Sequence, residues 1–245
     1  MRRICCVSQG DDGSVIVAGK RITGIIFDAD GTLLDSMGIW ENVANEFLEL
    51  RGIHPKEDLA VTFKTMSLEE SAEYYQNKYG VKETKQEIIE AVMGLIAQAY
   101  RSTIPLKPGA KEILAWGRRQ QIPMCIATAT DKKLLESALS RLGMLQYFDT
   151  IVTCEEVGHS KEHADIYEEA RKRIRTERES TLVVEDATHA ARTAKKAGFV
   201  VLGVYDAAEE EKDQLITLAD YYVTSLLEIG GIIYEENTDD CGLRL

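Results

Sequence analysis

Long apolar runs are missing from this sequence, and their absence limits where the protein can act. No stretch reaches the roughly 18 consecutive apolar residues that a membrane-spanning helix needs. The first residues, Met-Arg-Arg-Ile-Cys-Cys, soon meet Asp11, Asp12 and Gly13, so a secretory apolar segment is not expected either. The sequence therefore predicts a protein that neither enters a membrane nor carries a secretion signal.

Basic residues are also scarce relative to acidic ones. The chain has 29 Lys and Arg against 41 Asp and Glu, which gives a formal net charge of −12. Nucleic acids and anionic membrane surfaces are bound by basic faces, so neither is expected as a partner. A phosphorylated ligand remains compatible with this charge if a bound cation and a few local donors supply the attraction.

Cysteine is infrequent, and its spacing does not fit a zinc site. The five cysteines are Cys5, Cys6, Cys125, Cys154 and Cys241. Their number is odd, and Cys125 and Cys154 lie in apolar runs that are typical of small buried side chains. We therefore expect free thiols and a cytoplasmic protein. The sequence leaves open whether the protein is a monomer or a homodimer.

Short β-branched runs alternate with longer amphipathic ones from Ile22 onward. This alternation predicts an α/β fold with a doubly wound, parallel, Rossmann-like sheet. The predicted strands are Ile22–Phe27, Pro123–Ala127, Thr150–Cys154, Leu182–Val184, Val200–Val204 and a short one at Tyr221–Val223. Residues 1–21 are less informative, because Ile4–Val7 and Val15–Ala18 either pair as a hairpin or belong to a loose tail.

Residues 35–105 interrupt this alternation because they contain only helical patterns. Ser67-Leu68-Glu69-Glu70 and Thr84-Lys85-Gln86-Glu87 each fit the capping box that begins a helix. We therefore predict a small α-helical cap domain at 35–105. It is inserted into a core domain made of 22–34 and 106–245, which follows an N-terminal extension of residues 1–21.

The first predicted strand ends in the run Phe27-Asp28-Ala29-Asp30-Gly31-Thr32-Leu33. Its glycine lets the backbone turn sharply, so that both aspartates can face one pocket. One carboxylate could attack phosphorus if a hard cation with oxygen ligands screened the repulsion. The other could protonate the leaving oxygen and then deprotonate a water. An isolated Asp-x-Asp-Gly is more often an exposed acidic turn, so this interpretation needs support from elsewhere.

Polar residues near the ends of the other predicted strands give that support. Thr128 offers a hydroxyl and turn amides for phosphate oxygens, although it could instead cap the next helix. Lys161 could offset phosphate charge or be a solvated surface lysine. The adjacent acids Glu185 and Asp186 suggest a metal site or, at Asp186, a helix N-cap. Because parallel strands end at the same edge of a sheet, these residues are expected to meet there.

In chain order, these residues resemble the four motifs of the haloacid dehalogenase-like hydrolase superfamily. The matching parts are Asp28–Ser36, Thr128, Lys161 and the stretch from Val184 to Gly198, and the resemblance spans about residues 22–225. A helical cap between the first two motifs implies the first cap class of that family. The sequence departs from the family pattern in two places. Glu162-His163-Ala164 lacks two usual prolines. Ala129 stands where asparagine is common, so Thr130 is a candidate for the missing phosphate contact.

The resemblance implies a role for each matching residue. These are Asp28 as nucleophile, Asp30 as general acid/base, Thr128, Ala129 and Lys161 as phosphate binders, and Asp28, Asp30, Glu185 and Asp186 as Mg²⁺ ligands, with Asp30 binding through its backbone carbonyl. The implied activity is Mg²⁺-dependent hydrolysis of a small phosphorylated metabolite through an aspartyl-phosphate intermediate. The dehalogenase branch lacks an acid two residues after its nucleophile, so Asp30 favours phosphoryl chemistry.

Two alternatives to hydrolysis are compatible with the same motifs. A β-phosphoglucomutase-like mutase shares them, but Trp40 and Leu68 occupy the positions of its characteristic histidine and arginine. Without those cationic anchors a second phosphate would be held weakly, which favours hydrolysis. A non-catalytic phospholigand-binding protein is expected to have lost Asp28 or Asp30, and both are present.

Substrate specificity is predicted to come from the cap. The candidate residues are Trp40, Lys64 and Met66. Aromatic residues at helical spacing, among them Trp40, Tyr74 and Tyr75, could instead pack within the cap.

Overall fold

The structure is a computed structural model that describes residues 7–9, 15–17, 20–63 and 66–229, with the backbone alone at 7–9 and 15–17. These residues fold as two compact units. One unit comprises the described residues up to Asp35 and from Pro105 onward, and the other is Ser36–Ile104. In the described ranges no helix is both long enough and apolar enough to cross a bilayer.

The larger unit begins with a small antiparallel sheet. Its strands are β1 (Val7–Gln9), β2 (Val15–Val17) and β3 (Lys20–Ile22), in that order across the sheet. Within the described part of residues 1–21, β1 pairs with β2, which favours the hairpin alternative and not the loose tail. Residues 4–6 and 18 of the predicted pair lie outside the described residues.

The predicted strand Ile22–Phe27 is wrong at its start. Ile22 belongs to β3, and the strand of the main sheet, β4, is Gly24–Phe27. The two separate at Thr23, whose amide donates to the Ser180 carbonyl at 2.8 Å. Gly24 packs closely against Thr176, since a Cβ at that position would lie 2.6 Å from Thr176 Cγ2.

In the smaller unit, the regular elements of the described residues are all α-helices. It consists of α1 (Met37–Glu49), α2 (Leu59–Phe63), α3 (Leu68–Tyr79) and α4 (Lys85–Ser102). Both predicted capping boxes are confirmed, with N-caps at Ser67 for α3 and Thr84 for α4. In its core the rings of Phe47 and Tyr75 lie 4.6 Å apart, and the Tyr75 hydroxyl donates to the Ala44 carbonyl at 3.0 Å.

A six-stranded parallel sheet forms the centre of the larger unit. After β4 its strands are β5 (Met124–Thr128), β6 (Thr150–Thr153), β7 (Thr181–Glu185), β8 (Val200–Val204) and β9 (Tyr221–Val223). Their order is β6-β5-β4-β7-β8-β9, which confirms the predicted doubly wound α/β fold. The strand order reverses at β4, and ligands of such sheets bind beyond the strand ends at this switch point.

Helices cover both faces of this sheet. They are α5 (Ala110–Arg119), α6 (Lys132–Arg141), α7 (Cys154–Val157), α8 (Asp165–Ile174), α9 (Thr188–Lys196) and α10 (Lys212–Leu218), with 3₁₀ turns at Leu145–Tyr147 and Arg178–Ser180. One core cluster joins Ile26, Cys125 and Val183 of the strands to Tyr167 of α8 and Ala191 of α9. Such burial is the main source of stability in a fold of this kind.

Several strand ends differ by a residue or two from prediction. Thr128 and Glu185 lie inside β5 and β7, where they pair with Thr153 and Gly203. Cys154 is helical, because the Thr153 hydroxyl accepts a hydrogen bond from the Glu156 amide and thereby begins α7. Cys125 is buried as predicted, whereas Cys154 is only half-buried.

The chain leaves and re-enters the larger unit at adjacent points. Leu34 and Leu106 form an antiparallel bridge, and the Asp35 amide donates to the Pro105 carbonyl at 3.0 Å. The Lys107 amide adds a bond to the Leu33 carbonyl at 2.9 Å. Residues 36–104 are therefore inserted between two backbone segments that are hydrogen-bonded to each other.

Candidate active site

The turn after β4 places Asp28 at the switch point of the sheet. The Asp28 amide continues the strand pairing by donating to the Val184 carbonyl of β7 at 2.9 Å. The following turn closes when the amides of Leu33 and Leu34 donate to the Ala29 carbonyl. Gly31 has a φ of +88°, and a Cβ there would overlap the Asp186 carboxylate. Glycine is therefore required both by the backbone conformation and by the close approach of that acid.

Lys161 joins the acids at the ends of β4 and β7. Its ammonium donates to Asp28 Oδ1 and, at 2.9 Å, to Glu185 Oε2. All three side chains are buried. The solvated-surface alternative for this lysine is therefore wrong.

Glu185 and Asp186 are both held by further hydrogen bonds. Glu185 Oε2 also accepts from the Tyr167 hydroxyl at 3.2 Å, and its Oε1 accepts from the Ala187 amide at 3.3 Å. Asp186 Oδ1 accepts from the Thr32 hydroxyl at 2.6 Å. The N-cap of α9 is Ala187, so the alternative that made Asp186 a helix cap is wrong.

The loop between β5 and α6 carries two threonines with different contacts. Thr128 is buried, and its hydroxyl oxygen accepts from the Thr130 amide at 3.0 Å. Asp131, rather than Thr128, caps α6 by accepting from two amides of its first turn, so the cap alternative for Thr128 is wrong. Ala129 is exposed in this loop. The Thr130 hydroxyl donates to Asp30 Oδ2 at 2.6 Å.

One charge imbalance explains the protonation behaviour of this cluster. Four carboxyl groups lie near the one ammonium group of Lys161; they belong to Asp28, Asp30, Glu185 and Asp186. Burial, reinforced by the neighbouring acids, raises the pKa of Asp28 well above its usual range despite Lys161. Burial, followed by the charge of Glu185, raises the pKa of Asp186 to about 7.

Lys161 responds to the same imbalance in the direction that keeps it charged. Burial disfavours its ammonium, but the nearby Asp28 and Glu185 carboxylates outweigh that effect and raise the pKa of Lys161. Lys161 therefore stays charged, and the acids around it outnumber it.

The donor set fits a hard divalent cation. Ligand oxygens of Asp28, Glu185 and Asp186 all lie within 4.8 Å of one another, and the three side chains are buried. Oxygen-only donors with an excess of negative charge are the ligands that Mg²⁺ and similar ions prefer. Within the described ranges this is the one cluster of His, Cys, Asp or Glu able to hold a metal.

A further acid near this edge of the sheet does not join the cluster. Asp206, just after β8, accepts from the Lys107 ammonium at 2.6 Å, and both side chains are largely buried. Its charge is therefore balanced by Lys107, a basic residue outside the cluster.

The predicted specificity residues lie in the helical unit. Trp40 is 37% exposed and donates from its indole nitrogen to the Tyr100 hydroxyl at 3.2 Å. Trp40 and Met66 line an apolar cavity of about 190 Å³ inside this unit, together with Tyr75. Lys64 lies outside the described residues. The substrate-selecting role of these side chains stays a prediction.

Three polar contacts of the site were not predicted from the sequence. The sequence marks Thr32 only as part of the first motif, and it offers Thr130 as a phosphate contact rather than as a partner of Asp30. Tyr167 gave no polar signal because it lies among the apolar positions of α8. A buried tyrosine hydroxyl usually requires a hydrogen-bond partner, and this rule could have marked it for inspection.

Known proteins resemble this chain along most of its length. Hexitol phosphatase B of Escherichia coli K12 is 26% identical over 86% of this chain and 95% of its own. A phosphorylated carbohydrates phosphatase of Thermotoga maritima is 24% identical over 77% of this chain and 88% of its own. The crystal structure of CbbY from Rhodobacter sphaeroides in complex with phosphate superposes with a TM-score of 0.68 at 23% identity, over 85% of this chain and 96% of that one.

A family-wide comparison covers the site and both units. The sequence profile described as haloacid dehalogenase-like hydrolase matches residues 25–204, a range that runs from β4 to the end of β8. This range includes Asp28, Thr128, Lys161 and Asp186. The protein therefore belongs to the haloacid dehalogenase-like hydrolases, and its activity is that of a phosphatase.

Proposed function

We propose that this phosphatase hydrolyses the monoester of a phosphorylated sugar or sugar alcohol, with Mg²⁺ as cofactor and an aspartyl-phosphate on Asp28 as intermediate. The observation that carries the proposal is the buried Asp28, bound by Lys161 and surrounded by acids at the switch point of the sheet. A carboxylate in this position is anchored and desolvated, and it lies at the edge of the sheet where ligands of such folds bind.

The substrate class is supported by relatives of similar length. Their names are Hexitol phosphatase B and Fructose-1-phosphate phosphatase YqaB, both of Escherichia coli, and Phosphorylated carbohydrates phosphatase of Thermotoga maritima. This chain covers 95%, 97% and 88% of these three proteins, so the likeness extends over most of their length. We carry the shared class, a small phosphorylated polyol, over to this protein.

The first half-reaction transfers the phosphoryl group to the enzyme. Lys161 binds Asp28 Oδ1, so we assign the attack on phosphorus to Oδ2. As the new bond between Oδ2 and phosphorus forms, the bond between phosphorus and the ester oxygen breaks. Asp30 gives its proton to that leaving oxygen, which departs as the alcohol of the sugar. Thr128 and the amide of Ala129 would hold the phosphate oxygens during this step.

The second half-reaction returns the enzyme to its starting state. A water oxygen attacks phosphorus while the Asp30 carboxylate takes one of the water protons. The bond between phosphorus and Asp28 Oδ2 breaks, which releases inorganic phosphate and restores the Asp28 carboxylate. Asp30 is then protonated and ready for the next ester.

Residues of two segments, the turn after β4 and the end of β7, would hold the cofactor. They are Asp28, Glu185 and Asp186 through carboxylate oxygens and Asp30 through its backbone carbonyl. When bound, Mg²⁺ supplies positive charge that lets an anionic nucleophile approach an anionic phosphate. Thr32 and Tyr167 orient two of these ligands through the hydrogen bonds described above.

The covalent scheme is tested with p-nitrophenyl phosphate in the presence of Mg²⁺. We expect Asp28→Asn to abolish phosphate release, because an amide cannot serve as the nucleophile. EDTA is expected to suppress release by the wild type, and added Mg²⁺ to restore it. Full activity of Asp28→Asn, or of the metal-stripped wild type, would contradict the scheme.

The substrate proposal is tested by a panel of phosphorylated metabolites with Mg²⁺ present. We expect hexitol and hexose phosphates to be hydrolysed faster than nucleotides or phosphorylated amino acids. The mutase alternative, in which the phosphoryl group moves to a second position of the sugar, is tested separately. For this test the protein is supplied with β-glucose 1-phosphate and a bisphosphate primer. Isomerisation faster than phosphate release would replace the phosphatase assignment by the mutase alternative.

A further inference from the structure

Thr130 makes a short hydrogen bond to the acid that the proposed reaction uses for proton transfer. Its hydroxyl oxygen lies 2.6 Å from Asp30 Oδ2, across a separation of 100 residues in the sequence. Both side chains are half-buried in the larger unit. A hydroxyl that donates to a carboxylate at this distance forms one of the stronger hydrogen bonds available to a neutral side chain.

The loop that carries Thr130 is itself fixed at both ends. The Thr130 amide donates to the Thr128 hydroxyl oxygen at 3.0 Å, and Thr128 is the last residue of β5. On the other side, Asp131 caps α6 by accepting from the Lys133 and Leu134 amides at 2.9 and 3.1 Å. The position of the Thr130 hydroxyl is therefore set by the sheet and by a helix rather than by a free loop.

We propose that Thr130 is a positioning residue for Asp30, which fixes the orientation of its carboxyl group for proton transfer to and from the reacting oxygen. The inference rests on the proposed function, because it assumes that Asp30 is the general acid/base. Asp30 lies on the turn after β4 and not in a strand, so its backbone alone does not determine where its carboxyl group points. Binding one oxygen to Thr130 restricts rotation about the Cβ–Cγ bond, and general acid catalysis depends strongly on such geometry.

The dependence on the leaving group distinguishes this role from others. A p-nitrophenolate departs readily without a proton, whereas the leaving oxygen of phenyl phosphate or an alkyl phosphate gains much more from protonation. A residue that positions the acid therefore matters more for poor leaving groups. A residue that binds the phosphate, or that only stabilises the loop, affects good and poor leaving groups alike.

The experiment compares Thr130→Val and Thr130→Ser with the wild type on p-nitrophenyl phosphate and phenyl phosphate, at saturating Mg²⁺. For Thr130→Val we expect kcat on phenyl phosphate to fall at least about tenfold more than kcat on p-nitrophenyl phosphate. Thr130→Ser keeps the hydroxyl and is expected to restore most of the difference. KM is expected to change by less than about twofold on both esters.

A matched control removes another threonine hydroxyl from the same sheet. Thr181 begins β7 at the end opposite the site, and its hydroxyl donates to the Glu177 carbonyl at 2.6 Å. Thr181→Val is expected to leave both rates unchanged, even if it lowers the melting temperature.

Two kinds of negative result have different meanings. The role of Thr130 would be overturned if Thr130→Val lowered kcat equally on both esters, if it raised KM without a change in kcat, or if it lowered neither rate. Wild-type protein without activity on either ester, or an active Asp28→Asn variant, would overturn the proposed function on which that role rests.

Discussion

The hydrogen bond between Thr32 and Asp186 allows a direct test of whether the turn after β4 supports the proposed metal binding. Thr32 is fully buried, Asp186 nearly so, and 2.6 Å separates Thr32 Oγ1 from Asp186 Oδ1. Thr32→Val keeps the shape of the side chain and removes this single donor. We expect the variant to fold and to bind Mg²⁺ more weakly, because a ligand carboxylate loses the group that orients it.

The size of the effect follows from two independent ranges. A hydrogen bond to a charged group contributes about 1.5–3 kcal/mol. Since a factor of ten corresponds to about 1.4 kcal/mol, this predicts a loss of roughly 10- to 100-fold in Mg²⁺ affinity. Substitution of groups that orient metal ligands in other proteins gives the same range of about 10- to 100-fold.

Mg²⁺ titration of p-nitrophenyl phosphate hydrolysis measures this loss as a shift of the half-saturating concentration. We expect kcat at saturating Mg²⁺ to stay within about threefold of the wild type, since the ligands themselves remain. The Mg²⁺ concentration that raises the melting temperature should shift in parallel, which provides a readout independent of catalysis. Thr23→Val is the control, because Thr23 lies at the other end of β4 and shares its hydrogen bond with Ser180 at 2.7 Å. An unchanged Mg²⁺ requirement, or an equal shift in Thr23→Val, would refute the reasoning.

Three further outcomes are expected. In EDTA, the free energy of unfolding should decrease from pH 6 to pH 8. The pKa of Asp186 is raised to about 7 in the folded state, which therefore binds a proton that the unfolded state has already released. Denaturant titration at the two pH values measures this decrease, and equal stability at both would contradict the prediction. Tyr167→Phe should lower the free energy of unfolding by about 1 kcal/mol through loss of the hydroxyl that binds Glu185, and an unchanged denaturation midpoint would show that this bond contributes nothing. Ser67→Ala should destabilise the helical unit by about 1 kcal/mol, because it removes the capping box at α3. The control Ser102→Ala, at the C-terminal end of α4, should leave the stability of that unit nearly unchanged. Equal effects of the two substitutions would rule out the cap as the cause.

Local chemistry made much of the fold predictable. The capping boxes at Ser67 and Thr84 depend on residues three apart, and both were found in the structure. The strands of the main sheet were recognisable because they are buried on both faces and read as short apolar runs. The error at Ile22–Phe27 arose from a contact with distant residues, since the chain bends at Thr23 to reach the Ser180 carbonyl.

In the site, too, positions that follow from local sequence patterns were predicted, whereas contacts between distant residues were missed. Asp28, Thr128 and Glu185 lie at strand ends, and the fold class alone brings such positions to one edge. The partners of the acids are different, because nothing near Thr130 or Thr32 in the sequence indicates which carboxylate each will meet. Those contacts depend on the register of the sheet and on the path of two loops, which only the assembled structure defines.

The bridge between Leu34 and Leu106 has a consequence for how this protein can change over evolution. The two ends of the helical insertion meet at one backbone hydrogen bond, from the Asp35 amide to the Pro105 carbonyl. A segment whose ends are adjacent can be lengthened, shortened or replaced at a small cost in loop-closure entropy, because that cost grows only slowly with length. We therefore expect the larger unit to retain its cluster of acids when a different insert is present, and we propose that such an exchange changes the preference for substrate. The same geometry would allow residues 36–104 to be exchanged as one cassette in the laboratory.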